Sequence, residues 1–160
     1  FKLFLFKDTL MELILWRHAE AEDSTPDAAR KLTDRGVKQA KKMSDWLRAR
    51  LPQDTRIIAS LAQRTQQTAQ AFSHEYEIVN RIGPGAHVDD ILAAANWPNA
   101  RGAVVVVGHQ PTLGEVADYL ITNIPAGLSF KKGAVWWISY RMKAGVGESV
   151  LHTVIYPDML

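Results

Sequence analysis

The sequence of 160 residues contains no cysteine. Disulfides, thiolate nucleophiles and cysteine-ligated zinc or iron–sulfur centres are therefore excluded. The absence is compatible with a reducing compartment, and we expect a cytoplasmic protein. No apolar run approaches the ~20 residues that a membrane-spanning helix needs, so no membrane partner is expected. Charge of one sign is also scarce: the net charge is only +2, and the basic residues are scattered. Without a basic stripe interleaved with aromatics, nucleic acid is not an expected partner. Internal repeats, low-complexity tracts and linkers are missing as well. What remains is a chain of ordinary single-domain length with 47% hydrophobic residues, enough to bury a full core.

The first ten residues, FKLFLFKDTL, stand apart because Met11 follows them directly. We read residues 1–10 as an upstream extension and 11–160 as one domain. The other reading of the same ten is an extra edge strand.

Strand and helix signals alternate along the rest. Glu12 to Trp16 reads as a strand, followed by a polar loop from Ala19 to about Arg30. Thr33 is a candidate N-cap. After it, Val37, Ala40, Ser44, Leu47 and Leu51 recur at helical steps, until Pro52. Arg56 to Ala59 reads as a second strand, and Ala62, Thr65, Ala69 and Phe72 as a second helical face. Glu77 to Val79 is a candidate third strand. After the Gly83–Gly85 loop, Val88, Ile91, Leu92 and Ala95 suggest a third helix. Ala103 to Val107 is a β-branched run suited to a central strand covered on both faces. Leu113, Val116, Ala117, Leu120 and Ile121 form a fourth helical face, with Pro111 in its first turn. Ala134–Tyr140 and Val150–Tyr156 close the chain as a strand pair, with Gly145 and Gly147 marking a hairpin. This order predicts an α/β fold: a mostly parallel central sheet sandwiched between helices.

Ligands of such sheets bind beyond the carboxyl ends of the parallel strands. Three polar clusters fall there: Arg17 and His18 after the first strand, Ser60 and Arg64 after the second, Gly108 and His109 after the valine strand. Taken singly, each histidine is more often structural, and Arg64 more often a solvated helix residue. Three such clusters at three strand ends instead point to one shared site. Arginine forks match phosphate or carboxylate, and helix N-termini after Ser60 and His109 add N–H donors. The set describes a tetrahedral-anion pocket in which a neutral histidine can attack phosphorus. A metal site fits poorly, because a third ligand is missing and the arginines would repel a cation. His74 reads as a surface residue and His152 as a strand side chain. Trp97, Trp136 and Trp137 suit either the core or a contact surface.

These residues resemble a known family. Arg17-His18-Ala19-Glu20 resembles the Arg-His-Gly (RHG) motif of the histidine phosphatase superfamily. Ser60-Leu61-Ala62-Gln63-Arg64-Thr65-Gln66-Gln67-Thr68-Ala69 resembles its Ser-Pro-x-x-Arg-x-x-Gln-Thr-Ala segment. Gly108-His109-Gln110-Pro111 resembles its second histidine motif, and Leu32-Thr33-Asp34-Arg35-Gly36 its Leu-Thr-x-x-Gly lead into the first helix. The resemblance implies a phosphoglycerate mutase-like, three-layer α/β/α fold. It implies a hydrolase, a metal-independent phosphatase without cofactor. His18 would be the nucleophile, and Arg17, Arg64 and His109, with Ser60, the phosphate pocket. The short length is similar to the SixA-like phosphohistidine phosphatases, which lack the insertions of larger relatives.

Three departures stand out. Ala19 replaces the motif glycine and narrows the room beside His18. Leu61 replaces the usual proline. The carboxylate that larger relatives use as general acid has no clear counterpart; Glu20, Glu22, His87 and Asp89 are candidates. An alkyl phosphate benefits from such an acid. Phosphohistidine does not need one, because its distal ring nitrogen, of a type that titrates near pH ~6.5, can be protonated and let neutral imidazole leave. The expected partner is thus a phosphohistidine-bearing protein. Two readings stand beside it: a phosphatase of small phosphorylated molecules, and a phosphate-pocket protein that binds without hydrolysis.

Overall fold

The computed structural model describes residues 8–160. Most of the ten-residue extension lies outside that range, but its last two residues already belong to the first strand, β1 (Thr9–Arg17). The sheet thus begins before Met11.

Among the described residues the chain forms one six-stranded sheet. Its further strands are β2 (Arg56–Ala59), β3 (Glu77–Ile78), β4 (Gly102–Gly108), β5 (Val135–Lys143) and β6 (Val146–Ile155). Their order across the sheet is β3-β2-β4-β1-β5-β6. The first four in that order run parallel, and β5 and β6 add an antiparallel edge. The central pair, β4 and β1, is buried almost throughout, as the valine run requires.

Among the described residues four α-helices cover the two faces: α1 (Asp34–Arg48), α2 (Gln63–Phe72), α3 (Val88–Ala95) and α4 (Thr112–Ala117). Alternate strand residues sort between them, because successive side chains point to opposite faces. Leu13, Leu15, Val104 and Val106 pack with Ile91, Leu113 and Val116 of α3 and α4. Ile14, Trp16, Val105 and Val107 pack with Met43, Leu47 and Ala69 of α1 and α2. The result is the expected α/β/α sandwich.

Several local expectations need adjustment. Val37 is 52% exposed; Gly36 and Met43 join Ala40, Ser44 and Leu47 on the buried face of α1 instead. Helix α4 is short and continues as a π-turn through Asp118–Thr122. The hairpin turn is Ala144–Gly145, both at positive φ. Gly147 lies inside β6, where a Cβ would strike the Tyr140 hydroxyl. The tryptophans belong to the core: Trp136 stacks on Phe130 at 4.7 Å, and Trp137 is buried.

Two glycines let the layers close near the C-terminal rim of the sheet. A Cβ on Gly36 would fall on the Glu20 carbonyl oxygen, and one on Gly114 on the Leu128 carbonyl oxygen. The first contact docks the start of α1 against the loop after β1. Thr33 caps that helix, accepting from the Gly36 amide at 3.0 Å.

Candidate active site

Parallel pairing of β1 with β4 sets Arg17 opposite Gly108. One residue on, the His18 amide donates to the Gly108 carbonyl oxygen at 3.1 Å. His18 and His109 therefore leave the sheet side by side, with ring centroids 5.3 Å apart and planes inclined by 57°. Both are buried, as is Ser60 at the end of β2. The sequence clusters do meet.

Hydrogen bonds fix the tautomer of each imidazole. His18 Nδ1 lies 2.7 Å from the Ala19 carbonyl oxygen. A carbonyl only accepts, so Nδ1 carries the proton and Nε2 the lone pair. Arg64 Nε donates to that lone pair at 3.3 Å. In His109 the roles are reversed. Arg64 Nη2 lies 3.4 Å from Nδ1, which must accept, and Nε2 then donates to Ser60 Oγ at 2.8 Å. Ser60 passes the order on to Thr65 Oγ1 at 2.7 Å, and Thr65 donates to the carbonyls of Ser60 and Ala62. Ser60 thus sits behind His109 and orients it, instead of facing the pocket as expected.

Arg64 is only 4% exposed, a burial the reading of it as a solvated helix residue did not foresee. It bridges the two histidines, so a cation placed there would meet its guanidinium. Two further acceptors hold it: the Asp27 carbonyl oxygen at 2.9 Å and the Asp27 carboxylate at 3.2 Å. Asp27 begins a short 3₁₀ turn, Asp27–Ala29, in the loop after β1.

Arg17 approaches from the other side. Its Nη1 donates to the Phe130 carbonyl oxygen at 2.6 Å. Its buried Nε–H has no hydrogen-bond partner among the described residues, which suits a donor reserved for an anion. The Phe130 loop is itself tied down by Asp118, whose carboxylate accepts from the amides of Ala126, Gly127 and Leu128.

Burial sets the charge state. It pushes the His18 pKa down to about 4, and Arg64 and Arg17 add to the fall against the Ala19 hydrogen bond. Burial, then the charges of His18 and Arg64, takes His109 down to about 3. Both rings are neutral at pH 7 in the ligand-free pocket. A protonated His109 belongs to the liganded pocket. That state needs the phosphoryl charge to offset the arginines.

Of the acid candidates, Glu20 has its carboxylate engaged at the start of α1, where it accepts from Thr33 Oγ1 at 2.9 Å and pairs with Arg35. His87 is exposed at the N-terminus of α3, where its amide donates to Asp90. Glu22 contributes its main chain to Lys31 and Arg30, and Asp89 is exposed on α3. Ala19 is fully buried beside Leu32 and Ala40, outside the positive-φ region, and its amide donates to Thr68 Oγ1 at 3.1 Å. Its methyl group is accommodated, not strained. The substituted Leu61 is 57% exposed ahead of α2.

Comparison with known proteins agrees with this geometry. The sequence profile of the histidine phosphatase superfamily (branch 1) matches residues 13–86. The SixA homologue of Haemophilus influenzae, named a phosphohistidine phosphatase, is 34% identical over 128 residues, 69% of this chain and 77% of that one. The chain belongs to the histidine phosphatase superfamily. Within it, the chain is SixA-like: Escherichia coli SixA is 25% identical over 126 residues, 73% of this chain and 76% of that one. The solved structure of a SixA protein from Nakamurella multipartitia superposes with a TM-score of 0.78. It is 31% identical, covering 92% of this chain and 96% of that one. A SixA structure complexed with tungstate shares the fold at a TM-score of 0.72 and 21% identity, covering 93% of this chain and 99% of that one. No helix among the described residues is long and apolar enough to cross a membrane.

Proposed function

We propose that this histidine phosphatase hydrolyses phosphohistidine on a signalling or phosphotransfer protein, with His18 as the nucleophile. One observation carries the assignment: His18 Nδ1–H is locked on the Ala19 carbonyl oxygen, which leaves the Nε2 lone pair facing Arg64. A pKa pushed down to about 4 keeps that lone pair free at neutral pH.

The mechanism follows from the donors. An incoming phosphoryl group takes the Arg64 N–H groups now spent on the two histidines, and the unpartnered Arg17 Nε–H. Those donors spread over the equatorial oxygens, where charge develops in phosphoryl transfer. His18 Nε2 attacks phosphorus in line with the leaving group and becomes phosphorylated. The anion raises the His109 pKa, so that Nδ1 can hold a proton and donate it to a phosphoryl oxygen. Water then attacks the phosphorylated His18, releasing inorganic phosphate. Ser60 keeps the His109 ring in place through both steps.

The substrate choice rests on where the carboxylates point. Glu20 is turned to α1, and the carboxylate bonded to Arg64, Asp27, is held anionic by Arg30 and Arg64 and so is no proton donor. A site without a positioned acid suits a P–N bond, whose leaving imidazole is protonated beforehand. The test compares kcat/KM for a phosphohistidine-bearing protein with that for alkyl phosphate esters. Preference for the phosphohistidine protein supports the reading. Faster turnover of the alkyl esters overturns it in favour of a small-molecule phosphatase.

A further inference from the structure

Asp27 was not among the residues singled out by sequence, yet it is the carboxylate bonded to Arg64. Its side chain is 60% exposed, whereas Arg64, His18 and His109 are buried. The carboxylate therefore lies on the solvent side of the imidazole pair. That is the side a leaving group must occupy, because displacement at phosphorus is in line and His18 attacks from within. Arg30 Nη1, at 3.3 Å, and Arg64 Nη2, at 3.2 Å, hold the carboxylate there. Desolvation raises its pKa, but the hydrogen bonds and charges of Arg30 and Arg64 outweigh this and keep it anionic. Its charge reaches into the pocket, where it works against the fall in the His109 pKa. The groove opening beside it is lined by Pro26, Ala28, Ala29, Leu61 and glutamines of α2, without a charged side chain.

The attacking ring has an acceptor for its distal N–H, the Ala19 carbonyl oxygen. A leaving imidazole needs the same on the opposite side. Resting on the phosphohistidine reading above, we propose that Asp27 is a specificity-determining residue that accepts the N–H of the protonated leaving imidazole. In that step the bond from His18 Nε2 to phosphorus forms as the substrate P–N bond breaks. The electron pair of the broken bond returns to the leaving ring, which departs neutral with its proton. The positive charge passes to the His18 ring, stabilised at Nδ1–H by Ala19. Asp27 neither gains nor loses a proton. An ester offers no such N–H, and its oxygen departs as an anion beside a carboxylate.

The Asp27→Asn variant removes the charge while keeping the side-chain shape and the main-chain oxygen that holds Arg64. Steady-state kinetics of wild type and variant are compared on N-phosphohistidine and on an aryl phosphate ester, with inhibition by inorganic phosphate as a monitor of Arg64. We expect kcat/KM for phosphohistidine to fall by about 10-fold or more, the loss of one charge-assisted hydrogen bond. The aryl ester should lose several-fold less, so that the ratio of the two kcat/KM values falls, and phosphate inhibition should persist. Equal losses on both substrates would reduce Asp27 to a support for Arg64 and overturn the proposal, as would an undiminished rate with phosphohistidine. A wild type that hydrolyses the aryl ester but not phosphohistidine would instead overturn the substrate reading, and the role of Asp27 with it.

Discussion

Arg64 joins the two imidazoles to Asp27, so its removal gives the sharpest quantitative prediction. In the ligand-free site its Nε and Nη2 donate to the two imidazoles, at 3.3 and 3.4 Å. In the proposed mechanism the same two groups face the phosphoryl oxygens once substrate binds. Each is a buried, charge-assisted hydrogen bond worth roughly 1.5–3 kcal/mol. Losing both costs about 3–6 kcal/mol of transition-state stabilisation. At about 1.4 kcal/mol per factor of ten, Arg64→Ala should lower kcat by on the order of 10²–10⁴. Arg64→Lys should fall between, since a single ammonium cannot reproduce the fork. The same substitution should also move the histidine titrations, yet leave them below the ~6.5 of a free imidazole that unfolding would give. Burial is the main cause of the depressed histidine pKa values, but the Arg64 charge contributes to both. In Arg64→Ala both rings should therefore titrate above about 4 and about 3, as read from histidine ring resonances across a pH series. A variant retaining more than roughly a tenth of wild-type kcat, or unchanged histidine titrations, would refute the bridging role.

Gly36→Ala should lower stability despite the ~1 kcal/mol gain in helix propensity. Its Cβ would land on the Glu20 carbonyl oxygen, and overpacking costs roughly 1–3 kcal/mol; a urea midpoint above wild type would contradict this. Glu12 is buried under Trp137 and Ser139, and burial raises its pKa above 4.5 against the hydrogen bonds from those two. Its protonated form is favoured by folding, so its contribution is full below pH 4.5 and is lost as pH rises through the folded-state value. Glu12→Gln should therefore gain in melting temperature relative to wild type as pH rises; a constant difference would contradict it. A chelator should leave turnover unchanged, since the mechanism draws its charge from guanidinium groups; activity lost to chelation and restored by a metal would contradict that.

The fold was legible because periodicity and burial coincide. The valines of β4 are covered on both faces, and Ile91 and Ala95 of α3 face the core as their spacing implies. Arg17, His18 and His109 were legible because each sits where a parallel strand ends, and Arg64 because it lies in the first turn of the helix after one, the place where α/β sheets gather ligands. Val37 misled because a residue at the edge of a helical stripe fits the period without facing the core. Ser60 falls in the same cluster, bonded to His109, but its direction depends on the β2–β4 pairing, which no local pattern encodes. Asp27 was missed for a similar reason. It lies in a polar loop without periodicity, and its partner Arg64 is 37 positions along the chain. The glycines Gly36 and Gly114 look like weak helix formers until the carbonyl opposite each is known.

The central claim is that His18 carries the phosphoryl group. Rapid acid-free quenching of the enzyme during turnover of a labelled phosphohistidine protein, followed by peptide mapping, tests it most directly. The account predicts a transient, acid-labile phosphoryl group on the peptide containing His18, absent from His18→Ala. Label found on His109, or full turnover by His18→Ala, would contradict it.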